Sequence, residues 1–131
     1  MRHLMAPWCM VAGLLAATPV CAQSEPYISC SWVREYPKNR PPVVSIRAPN
    51  SASLSSGEPF ALHLEAADPD GDKLYVTWGV EAGRISADPP DFRDAVWTLT
   101  GIAPGVYTLT LEVNDAHGCL VTAKRQLEVR P

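Results

Sequence analysis

Residues 65–78 read Glu-Ala-Ala-Asp-Pro-Asp-Gly-Asp-Lys-Leu-Tyr-Val-Thr-Trp, an acidic turn between two segments of alternating polarity. Asp-Pro and Asp-Gly favour a turn, because proline fixes φ, glycine allows positive φ, and the aspartate side chain hydrogen-bonds to nearby backbone. Residues 60–66 before the turn and residues 74–80 after it alternate between apolar and polar side chains. A period of two predicts two β-strands, each with one buried face.

Similar short segments occur on both sides of this pair, separated by turn residues rich in Pro, Gly, Asn and Asp. The segments predicted as further strands are 43–48, 84–86, 96–99, 107–113 and 119–129, with a brief edge strand near 52–54. No window carries a convincing helical stripe. The sequence therefore predicts an all-β fold, an antiparallel β-sandwich of about seven strands.

The first 22 residues predict a secretory signal peptide. An apolar run over residues 4–17 ends in the small-residue cleavage signal Val20-Cys21-Ala22. A lipoprotein anchored at Cys21 is a weaker alternative, because residues 18–20 do not form a Leu-x-small box. We therefore expect export to the periplasm or the extracellular space, with no membrane-spanning segment in the remaining chain.

Residues 23–42 carry four prolines and little periodicity, and predict an extended leader ahead of a domain at 43–131. Loss of Arg2 with the signal leaves ten Lys and Arg residues against 14 Asp and Glu, a net charge of −4. This mildly acidic balance without a basic stripe argues against nucleic acid as a partner. Two cysteines remain, Cys30 and Cys119, and in an exported protein they predict one disulfide; a reactive thiol pair or a metal site is the alternative.

Three segments in order resemble a PKD-type domain, an immunoglobulin-like β-sandwich of exported and surface proteins. They are Asn-Arg-Pro-Pro-Val-Val at 39–44, the acidic turn and strand at 67–78, and Leu-x-x-Ile-x-Pro-Gly-x-Tyr-x-Leu-x-Leu-x-Val-x-Asp-x-x-Gly at 99–118. The chain departs from the family after Trp78, where Gly-Val-Glu-Ala-Gly replaces the frequent Asp-Phe-Gly-Asp-Gly, so the sequence looks like a divergent member. The resemblance implies an immunoglobulin-like fold and a non-catalytic module for spacing, adhesion or binding.

The acidic turn is a candidate calcium site. Asp68, Asp70 and Asp72 alternate within five residues, and Asn39 and Glu65 are the candidates to complete an oxygen shell of the kind that Ca²⁺ takes. Some PKD-like domains bind calcium with residues of this type. A plain solvated turn is the alternative interpretation, and the sequence predicts no other cofactor.

The sequence predicts no enzyme. His63 lies on the outward face of a predicted strand, His117 lies in a turn, and neither belongs to a nucleophile or metal-binding motif. Trp32 and Tyr75 are candidates for a binding patch on carbohydrate or protein, the alternative being that Trp32 packs beneath the leader beside the disulfide. Tyr107, just after Pro-Gly, is expected to bond nearby backbone through its hydroxyl, as a corner tyrosine does.

The functional hypothesis is an exported binding or structural module that contacts protein or carbohydrate at the cell envelope. The alternative is a small secreted inhibitor or accessory subunit of an extracytoplasmic enzyme. The feature that separates them is whether the loop at 88–94 and the leader form one continuous exposed surface.

Overall fold

The structure is a computed structural model that describes residues 26–31 and 33–131. The predicted signal peptide and the candidate binding residue Trp32 lie outside these residues. In the described part the chain forms the following strands: β1 Tyr27–Cys30, β2 Val43–Arg47, β3 Ser51–Ser53, β4 Phe60–Ala67, β5 Tyr75–Val80, β6 Arg84–Ala87, β7 Asp94–Thr98, β8 Gly105–Asn114 and β9 Cys119–Arg130. A 3-10 turn at Leu54–Ser56 follows β3. No helix among the described residues has the length and apolar character needed to cross a membrane.

The strands form two sheets that pack face to face. One sheet has the order β1-β9-β8-β5, with β3 also paired to β9, and the other has the order β2-β4-β7-β6. Each pairing is antiparallel except that of β3 with β9, which is parallel. This arrangement confirms the predicted all-β, immunoglobulin-like sandwich.

The core follows directly from the alternation in the sequence. Inward positions of β4, β8 and β9 are almost completely buried, while the residues between them point to solvent. The largest side chain of this core is Trp97 on β7, which packs against Phe60 at a ring-centroid distance of 5.5 Å and against Tyr107 at 5.7 Å. Its indole nitrogen donates to the backbone oxygen of Ala82 at 2.8 Å, so the buried polar atom is satisfied.

Two turns are fixed by specific contacts, and the first of them was predicted from the sequence. The Tyr107 hydroxyl donates to the backbone oxygen of Ala103 at 2.6 Å, which confirms the expected corner tyrosine. Gly83 has φ of +82°, and a Cβ atom there would lie 2.6–2.7 Å from Ile102, Trp97 and the backbone oxygen of Thr98. Only glycine fits this turn, because both its conformation and its space exclude a side chain.

Candidate metal centre

Strand pairing brings two distant turns to the same end of the sandwich. The acidic turn connects β4 in one sheet to β5 in the other. Because β5 runs antiparallel to β8 with Tyr75 opposite Asn114, the start of β5 lies beside the end of β8. The turn at 115–118, which follows β8, therefore meets the acidic turn.

Three carboxylates converge where these turns meet. Asp68, Asp72 and Asp115 each offer an oxygen, and these oxygens all lie within 4.8 Å of one another. Asp115 is only 1% exposed. Three acidic groups at this separation repel one another when ionised, and burial strengthens that repulsion.

Asp115 is held in its ionised form by hydrogen bonds. Its Oδ1 accepts the backbone N–H groups of His117 at 2.8 Å and Cys119 at 3.0 Å, and its Oδ2 accepts the side-chain amide of Asn39 at 2.7 Å. Burial acts to raise the pKa of Asp115, but these hydrogen bonds outweigh it and the pKa is lowered overall. The carboxylate is therefore negative at neutral pH although it is buried.

Two oxygens of this group lack the partners that buried acceptors need. Oδ1 of Asp68 accepts the backbone N–H groups of Asp70 at 2.8 Å and Asp72 at 3.2 Å. Oδ2 of Asp68 and Oδ2 of Asp72 are buried and have no hydrogen-bond partner among the described residues. An ionised carboxylate only accepts, so a buried oxygen without a donor is costly unless a cation satisfies it. The donor set fits Ca²⁺, which takes carboxylate and amide oxygens.

His117 closes one side of the group. Its Nδ1 lies 2.8 Å from Oδ1 of Asp72, and its ring centroid lies 3.9 Å from that of Tyr36 in the leader. The hydrogen bond to Asp72 raises the pKa of His117, while burial opposes the shift. A protonated His117 would supply one positive charge to this group of three carboxyl side chains.

The leader is tied to this end of the molecule by covalent and backbone contacts. Cys30 and Cys119 stand opposite each other on β1 and β9 and form the predicted disulfide, with 4.0 Å between their Cα atoms. The N–H group of Ser31 donates to the oxygen of Gly118 at 2.7 Å. A Cβ atom on Gly118 would lie 2.6 Å from the backbone oxygen of Ser31, so the close approach of the leader depends on this glycine.

Comparison with known proteins identifies the fold family. The PKD domain family model matches residues 44–129. The chain belongs to the PKD domain family. No curated protein and no solved structure matched the chain. PKD domains are immunoglobulin-like modules, typically extracellular, generally non-catalytic and commonly involved in binding.

The PKD fold brings together only part of the residue set that the sequence proposed for calcium. Asn39, Asp68 and Asp72 lie in the group. Asp70 does not, because its two oxygens bind Arg40: Nη2 donates to Oδ1 at 2.7 Å and the backbone N–H to Oδ2 at 2.7 Å. These hydrogen bonds lower the pKa of Asp70. Glu65 pairs instead with Arg47 at 2.9 Å on the outward face of β4.

Sequence reasoning missed Asp115. It follows the clearest strand of the chain, and only the pairing of β8 with β5 reveals that it meets the acidic turn. Tyr75, the described member of the proposed binding patch, is 51% exposed on the outward face of β5, with Nζ of Lys73 5.3 Å from its ring centroid.

Proposed function

We propose that this PKD domain is an exported, non-catalytic binding module that works outside the cytoplasm, in the periplasm or beyond the cell. Its family is typically extracellular, and a disulfide between Cys30 and Cys119 suits an oxidising compartment. The expected signal peptide at residues 1–22 supports the same location. The partner we infer is a protein or carbohydrate of the cell envelope.

The observation that carries the proposal is the pair of buried, partnerless carboxylate oxygens at the junction of leader and sandwich. We propose that Ca²⁺ binds there, held by Asp68, Asp72 and Asp115, with the side-chain amide of Asn39 positioning Asp115 through its hydrogen bond. A bound cation would supply charge compensation and would link the leader to both sheets. The metal would then set how the leader projects from the domain, which matters for a module that positions a partner.

Thermal unfolding in Ca²⁺ and in chelator tests this site. With Ca²⁺ at about a thousand times its Kd, binding adds about 4 kcal/mol to the free energy of unfolding. We expect a large rise in melting temperature for the wild type, and little or none for Asp72→Asn. Asp70→Asn is the matched control, because it removes a charge from the same turn at a residue bound by Arg40. Equal midpoints with and without Ca²⁺ in the wild type would reject the metal site.

A second candidate function has its own observation. The loop at 88–93 adjoins the acidic turn across a cavity of about 410 Å³ lined on one side by Asp72 and Lys73 and on the other by Pro90 and Arg93. The acidic turn in turn contacts the leader through the Arg40–Asp70 pair. We name this continuous surface, formed by residues 33–42, 68–73, 88–93 and 115–118, the leader end. Its continuity favours an inhibitor or accessory subunit that contacts an enzyme through loops.

Phe92 is the residue through which the leader end would be tested. It is 41% exposed and has φ of +57°, a conformation that a bulky residue rarely adopts. The indole of Trp78 donates to its backbone oxygen at 2.7 Å, and its own N–H donates to Asp88 at 2.9 Å. The aromatic ring is thus presented to solvent by a braced loop.

Affinity capture from the native cell-envelope fraction separates the two candidates. If the domain is an accessory subunit, we expect the wild type to capture a specific enzyme. The Phe92→Ser variant should lose this capture, and the Tyr75→Ser variant should keep it. A binding module that uses the outward face of β5 would show the opposite dependence. Retention that is unchanged in both variants would reject both surfaces.

A further inference from the structure

A buried arginine lies about 20 Å along β9 from the candidate metal centre. Arg125 occupies an inward position of β9, between Ala123 and Leu127, and is 8% exposed. Its Nη1 donates to the backbone oxygen of Ile46 at 3.3 Å, and its Nη2 donates to Oδ1 of Asn50 at 2.5 Å. Both acceptors are neutral.

The positive charge of Arg125 forms no ion pair within the part of the chain that the structure describes. None of the ion pairs formed by residues 26–31 and 33–131 includes Arg125. A guanidinium stays protonated in proteins and carries five N–H donors, of which these acceptors take two. Removing such a charge from water is expensive unless an anion compensates it. The arginine therefore lacks the partner that a buried cation ordinarily has.

A cavity lies directly beside this guanidinium. It is an open depression of about 580 Å³, with apolar wall residues that include Ala48, Pro49 and Ala61 and polar residues that include Arg47, His63 and Asp94. Arg47 pairs with Glu65 at 2.9 Å and His63 with Asp94 at 2.6 Å, so these polar side chains already have partners. Of the two arginines that line the cavity, Arg125 is the one without an ion-pair partner among the described residues.

The topology of the sandwich produces this cavity. β2 leaves β4 after the pair Arg47–His63, and residues 48–50 cross to the other sheet, where β3 pairs with β9. The first residues of β4, Phe60–Leu62, are then paired to β7 alone. The space opens where the chain changes sheets, and Arg125 reaches into it from the opposite sheet.

We propose that this cavity binds an aliphatic carboxylate, of the kind carried by an acidic side chain of a partner protein. The carboxylate would accept N–H groups from the guanidinium of Arg125, and its methylene groups would pack against Ala48 and Pro49. Arginine and carboxylate form charge-assisted hydrogen bonds that satisfy both ions. The apolar wall suits methylene groups better than the hydroxyl groups of a sugar acid, since hydroxyls placed against Ala48 and Pro49 would exchange water for apolar contacts.

Nuclear magnetic resonance of the arginine side-chain Nε–H signals tests the proposal on the whole oxidised domain. The probes are N-acetyl-glutamate amide and its neutral match, N-acetyl-glutamine amide, at constant ionic strength. We expect the glutamate probe to shift the Arg125 signal saturably with a Kd on the order of 1 mM, a value typical of a single small contact. The glutamine probe should bind at least about tenfold more weakly.

Variants give the second measurement. Arg125→Met keeps an apolar stem and removes the charge. It should weaken binding of the glutamate probe by about tenfold or more. Arg47→Met is the matched control at the same cavity, and it should change affinity by less than about threefold because Arg47 is exposed and already pairs with Glu65. If Arg125→Met does not fold, the wild-type titration with the two probes alone decides.

Two results would overturn the proposal. A wild-type Arg125 signal that does not saturate with the glutamate probe would mean that the arginine only braces the crossing segment through Ile46 and Asn50. Tighter binding of glucuronate than of the glutamate probe would reject an acidic protein side chain as the source. Neither result bears on the calcium site, which is measured separately by thermal unfolding.

Discussion

Loss of the Cys30–Cys119 disulfide should destabilise the domain by an amount that its loop length sets. The bond closes a loop with a sequence separation of 89. Closing a loop of that length in the unfolded chain is worth about 4.6 kcal/mol at 25 °C by the chain-entropy relation. All four residues of β1 are exposed, so the strand itself buries little that would replace the bond.

Urea unfolding measures this effect. The oxidised wild type is compared with the same protein reduced and alkylated under denaturing conditions and refolded, and with Cys30→Ser/Cys119→Ala. We expect both altered forms to lose about 4–5 kcal/mol of unfolding free energy, close to the whole stability of many small domains. Cys119 is buried, so both altered forms should lose slightly more than the loop entropy alone, because alkylation overpacks this position and truncation removes packing.

Limited proteolysis distinguishes local unfolding of the leader from unfolding of the whole domain. Arg34 and Lys38 lie in the exposed leader between the disulfide and Asn39, and trypsin should cut there faster in the unbridged protein. The calculation would be refuted if the unfolding free energy of the protein without the disulfide lay within about 1 kcal/mol of that of the oxidised protein. Such a result would mean that the disulfide destabilises the native state by nearly as much free energy as it adds to the unfolded state by restricting its conformations.

Three substitutions in the sandwich carry further predictions. Gly83→Ala should lose about 2–4 kcal/mol of unfolding free energy in urea, because positive φ and close packing both oppose a Cβ atom. Gly71→Ala, where φ is also positive but the space is open, should lose only about 1–2 kcal/mol in the same measurement. Tyr107→Phe should lose about 0.5–1.5 kcal/mol with its hydrogen bond to Ala103, and an unchanged midpoint would contradict a stabilising corner. Leu111→Ala, at a fully buried position, should lose about 2–5 kcal/mol, and calorimetry showing a smaller loss would mean that the core relaxes around the cavity.

Strands with one buried face were predictable because their signal is local. β4 spans Phe60–Ala67 as the alternation indicated, and β5 begins at Tyr75, one residue later than predicted. β7 is longer at its start than the apolar segment predicted, since backbone pairing with β4 and β6 continues past the apolar residues. The alternation thus identifies the strands, and hydrogen bonding fixes their ends.

The leader strand β1 had no such signal. Its residues are all exposed and follow no alternation that burial would impose. What holds it is the disulfide, its backbone pairing to β9 and the bond from Ser31 to Gly118. The cysteine count predicted the disulfide, but the register of an edge strand depends on a partner that lies about 90 residues away in the chain.

The candidate metal centre shows why closeness in sequence is a poor guide to a ligand set. Successive side chains of the acidic turn cannot all point toward one metal ion, and the carboxylate of Asp70 instead binds Arg40. The third carboxylate comes from Asp115, which strand pairing places beside Asp68 and Asp72. A sequence interpretation that first paired the predicted strands would have brought the two turns together.

Arg125, in contrast, could be singled out from the sequence, because it interrupts the alternation of apolar and polar residues along β9. The inward row of β9 is apolar at every second position except one, where an arginine replaces an apolar side chain: Cys119, Val121, Ala123, Arg125, Leu127 and Val129. A charge at an inward position must be compensated, by a neighbour, a solvent channel or a ligand. Alternation alone therefore indicates where to look for a site, and the structure then shows that the two groups that accept hydrogen bonds from Arg125 are both neutral.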